Sequence, residues 1–190
     1  MDYYPVMMNI KDKKCLVVGG GNVALRKISS LLKCGAKVTV ISQAFKKEIY
    51  MLYNEGKIDL IERCYFDDDV KEYNIVIVAT DDRKTNKRVA SDCQKYNIPV
   101  NVVDDKGLST FIVPSVVAKG DITISISTNG KSPLLTRMIR EKLEKQFTEE
   151  YELLLKELEK MRNRLKESDL AEEDKIKTYR EIIDKSGLFQ

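Results

Sequence analysis

Residues 15–24 constrain this chain more tightly than any other stretch. Cys15-Leu16-Val17-Val18 is a short apolar run of the kind that forms a buried strand. Gly19-Gly20-Gly21-Asn22-Val23-Ala24 follows at once, and Ala24, Ile28, Leu31 and Leu32 then recur at helical spacing. The loop matches GxGxxA through Gly19, Gly21 and Ala24. Each position has a physical reason. Gly19 permits a tight turn off the strand, Gly21 leaves the backbone bare to an approaching pyrophosphate, and Ala24 lets helix and strand pack closely. The helix N-terminus beyond them presents free N–H groups and a positive dipole end to the phosphates. The pattern predicts a strand–turn–helix unit that binds a dinucleotide, with Gly19, Gly21, Asn22 and Val23 at the contact. A glycine turn without a ligand is the alternative.

The alternation of short apolar runs and helical patterns continues. Residues 37–41 read as a second strand, and Phe45, Ile49 and Leu52 as a helix closed by Gly56. Residues 57–62 read as a third strand, 75–78 as a fourth and fully buried one, 84–96 as a helix and 99–103 as a fifth strand. Strands spaced by helices call for right-handed crossovers and a parallel sheet covered on both faces. Residues 1–107 are therefore expected to form a Rossmann-like, doubly wound α/β domain. After Asp105 the character changes. Residues 109–114 read as a short strand ended by Pro114, and Ile122, Ile124 and Ile126 alternate with Thr123, Ser125 and Ser127. Ser132-Pro133 reads as an N-cap and first helical residue, with Leu135, Ile139 and Leu143 following on a helix. A two-stranded ribbon with one helix is too small to be stable alone. Residues 108–147 are thus expected to be a small α+β dimerisation segment that packs against a second copy. Residues 148–190 are expected to be a helical C-terminal domain. Tyr151, Leu154, Leu155, Leu158, Met161 and Leu165 form a packing stripe there, Ser168-Asp169 breaks the helix with Glu172 completing a weak cap, and Gly187 ends a second one.

Composition removes several kinds of chemistry. With no histidine in the sequence, a Ser-His-Asp triad, a histidine base and a histidine-ligated metal are all excluded. Cys15, Cys34, Cys64 and Cys93 are spread along the chain without a CxxC pair, which predicts free, mostly buried thiols rather than a zinc site or disulfides. No resident metal is expected. The net charge is +3. Residues 1–147 hold 24 Lys and Arg against 18 Asp and Glu, a mildly basic balance that suits an anionic small molecule and falls short of a nucleic-acid footprint. The longest aliphatic run, Ile75 to Ala79, is five residues, where a membrane span needs about 20. The opening residues, Met1 to Pro5, carry no basic stretch leading into an apolar one. No membrane and no nucleic-acid partner is expected, and a cytoplasmic location is.

The carboxyl ends of the strands supply the remaining candidates, because ligands of such sheets bind there. The second strand ends Ile41-Ser42-Gln43-Ala44, with no acid to take both ribose hydroxyls and no arginine to welcome a 2′-phosphate; Lys46 and Lys47 come slightly later. Ribose contacts fall to Ser42, Gln43 and Ala44, and residue chemistry leaves NAD and NADP both open. The fourth strand ends Ala79-Thr80-Asp81-Asp82, where a helix cap suffices to explain an acid. The fifth ends Val103-Asp104-Asp105 with no helix start close behind. In a chain without histidine, Asp104 is the preferred functional acid.

Taken together these motifs resemble the precorrin-2 dehydrogenase family, which includes the N-terminal domain of siroheme synthase. Residues 17–24 with Arg26-Lys27, Ala79-Thr80-Asp81-Asp82 with Asn86, residues 100–105, Ile124 through Pro133, and Arg137 with residues 140–143 carry the resemblance, which covers residues 1–147 well and the tail loosely. It implies NAD-dependent dehydrogenation of precorrin-2 to sirohydrochlorin on the way to siroheme, NAD rather than NADP, a homodimer, and in some members insertion of ferrous iron. It implies that Asp104 is catalytic, as the proton acceptor or as the group that orients the ring, with Thr80 and Asp81 near the cofactor. A carboxylate is a modest base unless buried. The many carboxylates of the substrate call for cations, among which Arg83, Lys119, Lys131, Arg137 and Arg140 are candidates. Ser127, Thr128, Asn129, Lys131 and Ser132, with Arg137, are expected to hold its acid arms. A nucleotide-sensing regulatory module without turnover is the alternative from another functional class; it would need no acid such as Asp104.

Overall fold

A computed structural model describes residues 3–189. Met1, Asp2 and Gln190, the outermost residues of the expected first and last segments, lie outside the described residues. The chain divides into two compact units between Val113 and Pro114.

The first unit is built on β1 (Lys14–Val18), α1 (Asn22–Lys33), β2 (Lys37–Ser42), α2 (Lys47–Asn54), β3 (Ile58–Glu62), β4 (Ile75–Val78), α3 (Arg83–Lys95) and β5 (Val100–Val102). All five strands are parallel, in the order β3-β2-β1-β4-β5. The order reverses beside β1, which opens a crevice at the carboxyl ends of β1 and β4. Both faces are covered, so the central strands are apolar from Cys15 to Val18 and from Ile75 to Val78. On one face Val17, Val40 and Ile77 pack with Ala24 and Ile28 of α1 and Ile49 of α2. On the other, Leu16, Val18, Val76 and Val78 pack with Val89, Ala90 and Cys93 of α3.

One crossover departs from the expected spacing by helices. Residues 63–74, between β3 and β4, are turns. Side chains replace the missing helix: Tyr65 and Val70 are buried in the α3 face, and Arg63 grips Asp69 through two hydrogen bonds of 2.7 and 2.8 Å. The Tyr65 hydroxyl donates to Asp92 of α3 at 2.6 Å. Burial first, and the Asp92 carboxylate next, raise the Tyr65 pKa.

Residues 109–114 are not a strand, and the strand lies after Pro114 rather than before it. The hydroxyls explain the difference. Thr110 and Ser109 bond the free edge of β5 through their side chains: Val100 N–H donates to Thr110 Oγ1 and Val102 N–H to Ser109 Oγ, both at 2.9 Å. The segment blunts an edge strand instead of extending the sheet, and it belongs with the first unit up to Val113.

The second unit pairs β6 (Ser115–Lys119) antiparallel with β7 (Ile122–Ile126). It continues with α4 (Pro133–Gln146), α5 (Glu149–Lys166) and α6 (Glu172–Ser186). Ser132 caps α4 by accepting from Leu135 N–H, with Pro133 in the first turn. The helices α5 and α6 pack on one another, and α4 and α5 both pack on the β6–β7 ribbon. The N-cap of α6 is Ala171, which has no side chain to offer, rather than Asp169. Of the four free thiols, Cys15 and Cys93 are buried but Cys34 and Cys64 are exposed, so they are less buried as a set than expected. Burial pushes Cys15 up to about 11 and Cys93 up to about 12.

Candidate functional site

Backbone packing shapes the glycine loop before any ligand does. Gly19 has φ +127°, and a Cβ there would lie 2.3 Å from the Ala79 carbonyl oxygen at the end of β4. A Cβ on Gly20 would lie 1.9 Å from the Ala44 carbonyl oxygen, where the chain leaving β2 crosses the loop. Both therefore seat strand ends against the turn. Gly21 differs: nothing lies within 4 Å of the position its Cβ would take. It is also the N-cap of α1 and brings no side-chain cap, so the first-turn amides, Asn22 and Val23 among them, stay open. An open cradle facing unpaired N–H groups fits a pyrophosphate. Ala24 is fully buried against the sheet, as close packing requires. The role of Gly20 escaped the sequence motif, which treats its position as any residue.

The turn after β2 borders this cradle. The Lys46 ammonium donates to Asn22 Oδ1, and its backbone N–H donates to Gly20 C=O at 3.0 Å. Glu48 approaches the same ammonium at 3.9 Å. Ser42 ends β2 half-buried, while Gln43 and Ala44 are exposed. The Gln43 amide donates to Cys64 Sγ. The three expected ribose contacts thus sit together at one strand end.

At the ends of β4 and β5 lies a cleft of about 230 Å³, lined by Thr80, Asp81, Arg83, Asn86, Lys87, Val103, Asp104, Asp105 and Leu108. The acids in and around it are not equivalent. Asp82 is the cap of α3: it accepts from Lys84 N–H at 3.0 Å and Thr85 N–H at 3.2 Å. The Thr85 hydroxyl, then those two amides, lower its pKa. Asp105 accepts from Leu108 N–H at 3.2 Å and so builds the turn. Thr80 is likewise engaged, donating to Asn86 Oδ1 at 2.7 Å. Asp81 and Asp104 are the two lining carboxylates that accept no hydrogen bond from a described residue. Asp104 is exposed rather than buried, in a turn closed by Asp105 N–H to Val102 C=O at 3.2 Å, with φ +60°. Lys27 of α1 feels its charge. Burial lowers the Lys27 pKa, Arg26 adds to that, and the Asp104 carboxylate opposes it. Lys27 and Lys87 are the residues near this crevice to which the sequence assigned no role. Among the described residues no group of three His, Cys, Asp or Glu side chains is placed to hold a metal ion.

The residues expected to hold acid arms share one loop of the second unit. Thr128 Oγ1 accepts from Ser132 N–H, and Ser127 Oγ from Asn129 N–H, both at 3.0 Å. Asn129 and Gly130 both have positive φ, at 52° and 68°. The Arg137 guanidinium on α4 is tied to Glu141 at 2.8 Å and Arg140 to Glu144. Lys131 stands in the same loop and Lys119 ends β6.

Known proteins match both units. A family described as NAD(P)-binding matches residues 6–115, and one described as "Sirohaem biosynthesis protein central" matches residues 119–146. The siroheme synthase of Ruthia magnifica subsp. Calyptogena magnifica is 42% identical over 187 residues, covering 96% of this chain and 40% of that protein. The siroheme synthase of Thioalkalivibrio sulfidiphilus is 46% identical over 144 residues, covering 76% of this chain and 29% of that protein. The chain thus spans about two fifths of the length of these curated relatives or less. The solved structure of SirC, precorrin-2 dehydrogenase, is 29% identical, with a TM-score of 0.80 over 99% of this chain and 93% of that one. No helix of the described residues is long and apolar enough to cross a membrane.

Proposed function

The chain belongs to the NAD(P)-binding family shared by the siroheme synthases, and on that premise we propose that it is an NAD-dependent dehydrogenase converting precorrin-2 to sirohydrochlorin. One observation carries the reading. An open dinucleotide cradle at the end of β1 and an uncommitted carboxylate, Asp104, at the end of β5 open on the same edge of one parallel sheet.

Precorrin-2 becomes sirohydrochlorin by losing one hydride and one proton. The bound nicotinamide supplies the two-electron acceptor for the hydride. The Gly21 backbone and the Asn22 and Val23 amides would hold the pyrophosphate, and Ser42, Gln43 and Ala44 would border the ribose. Asp104 accepts the proton at a carboxylate oxygen, with Thr80 and Asp81 beside it in the crevice. The engagement of Lys46 by Asn22 and Glu48 supports NAD over NADP, because that cation of the turn after β2 is occupied rather than free for a 2′-phosphate. Ser127, Thr128, Asn129, Lys131, Ser132 and Arg137 are assigned to acid arms of the macrocycle. Ferrous iron is the candidate substrate of a second reaction, in which two pyrrole N–H protons leave as iron enters, each taken by Asp104 in turn and passed to solvent. A homodimer through residues 108–147, with residues 148–190 as a helical domain, and a cytoplasmic location complete the proposal.

The test is absorbance with precorrin-2 generated in situ, with and without NAD⁺, on wild type and Asp104→Asn. Wild type should form sirohydrochlorin only with NAD⁺, and the variant should be slower by about 100-fold or more. Iron insertion is read by adding Fe²⁺ to sirohydrochlorin against an enzyme-free blank. Full activity in Asp104→Asn removes Asp104 from the chemistry. NAD⁺ binding by wild type without turnover turns the reading to a nucleotide sensor.

A further inference from the structure

We propose that Arg83 and Lys87 form a carboxylate-binding wall of the cleft that Asp104 lines, gripping the acid arms at one edge of the macrocycle. The inference rests on the precorrin-2 reading and adds a determinant of substrate specificity to it. Arg83 and Lys87 lie one helical turn apart on α3, and both line the cleft. Side chains four residues apart on a helix are neighbours, with Cβ atoms roughly 6 Å apart.

Their charges are uncommitted. Neither side chain makes an ion pair or hydrogen bond with a described residue, while two other cations of the same helix do. Arg88 reaches Asp67 at 2.6 Å and Lys95 reaches Asp68 at 3.2 Å. The paired cations Arg88 and Lys95 reach acids of residues 63–74, whereas Arg83 and Lys87 line the cleft; Lys84, on the same helix, does neither. The carboxylate next in sequence, Asp82, cannot neutralise them, because it is spent on the amides and hydroxyl that cap α3.

The cleft is polar in a directed sense. Cations stand on the helix, and Asp81 and Asp104 stand at the strand ends. Such an arrangement suits a ligand that is anionic at its rim and gains positive charge in its ring as hydride leaves. The rim carboxylates meet Arg83 and Lys87, and the developing charge meets the strand-end acids. At about 230 Å³ the cleft takes an edge of a tetrapyrrole rather than the whole ring.

The experiment measures sirohydrochlorin affinity by absorbance titration at low salt, together with KM for precorrin-2 and NAD⁺ affinity. Arg83 and Lys87 are exposed, so Arg83→Gln with Lys87→Gln should fold normally. The double variant should bind sirohydrochlorin about tenfold more weakly and raise KM to match, each exposed pair contributing modestly. Its kcat and NAD⁺ affinity should stay within about twofold, and Arg83→Lys with Lys87→Arg should restore binding. Lys13→Gln with Lys33→Gln removes the same charge at the opposite edge of the sheet and should leave affinity unchanged. Equal weakening in both double variants, or none in the first, overturns the wall. Failure of wild type to bind or turn over the tetrapyrrole instead overturns the precorrin-2 reading, and this inference with it.

Discussion

Asp104 meets a demand of the backbone besides the chemistry proposed for it. With φ +60° it occupies the left-handed region, where residues other than glycine, asparagine and aspartate are strained. The two demands separate by substitution. Asp104→Asn should melt close to wild type, since asparagine tolerates the same φ. Asp104→Ala should lose about 1–2 kcal/mol, and Asp104→Gly should be at least as stable as Asp104→Asn. Activity should be lost in all three. Thermal denaturation beside the dehydrogenase assay reads both scales, and an alanine variant as stable as the asparagine one would contradict the strain. Residue-scale chemistry was partly legible in the sequence. Asp104 stood out because no histidine competed with it and because it ended a strand. Lys87 did not, because a lysine on a charged helix face looks like solvated surface until the neighbouring ion pairs are seen. Gly20 did not, because its constraint comes from Ala44, 24 positions away.

At the scale of elements, the edge of β5 depends on side chains. Val100 is fully buried, and its N–H is satisfied by Thr110 Oγ1 at 2.9 Å. Replacing that acceptor with a methyl group leaves a buried donor unpaired, at a cost of about 1–3 kcal/mol. Thr110→Val should therefore melt several degrees below wild type, and Thr110→Ser, which keeps the hydroxyl, should not. A Thr110→Val melting curve that superimposes on wild type would show that water replaces the hydroxyl. The regular elements were legible because burial imprints itself on sequence: β1, α1, β2 and β4 stand where apolar runs, helical spacing and glycine stops put them. Two segments were not legible. Residues 109–114 mimic a strand, but two adjacent hydroxyls, Ser109 and Thr110, bond an edge instead. Residues 63–74 replace a helix with contacts such as Tyr65 to Asp92, made 27 positions apart, which no local period records.

At the scale of the whole molecule, the two units differ in how completely each buries its own apolar residues. The first has a continuous core on both faces of its sheet. In the second, from Pro114 on, the buried hydrophobic residues among those described are Val117, Leu154 and Leu165. Leu134 at 67% exposure and Met138 at 59% lie one turn apart on α4, with Leu135 at 48% between them and Val116 of β6 at 41%. Burying a leucine or methionine side chain yields about 1.5–3 kcal/mol, so a face of this composition gains far more from an apolar partner than from water. The proposed partner is a second copy through the same face, since these apolar side chains stay exposed although α4 and α5 pack on the ribbon. Light scattering behind size exclusion should give the mass of a dimer for wild type and of a monomer for Leu134→Asp with Met138→Asp. NAD⁺ affinity should survive in the monomer, because the glycine loop and its neighbours belong to the first unit. A wild-type monomer at micromolar concentration would remove the dimer. An aspartate variant that stays dimeric would place the contact on another surface of the second unit.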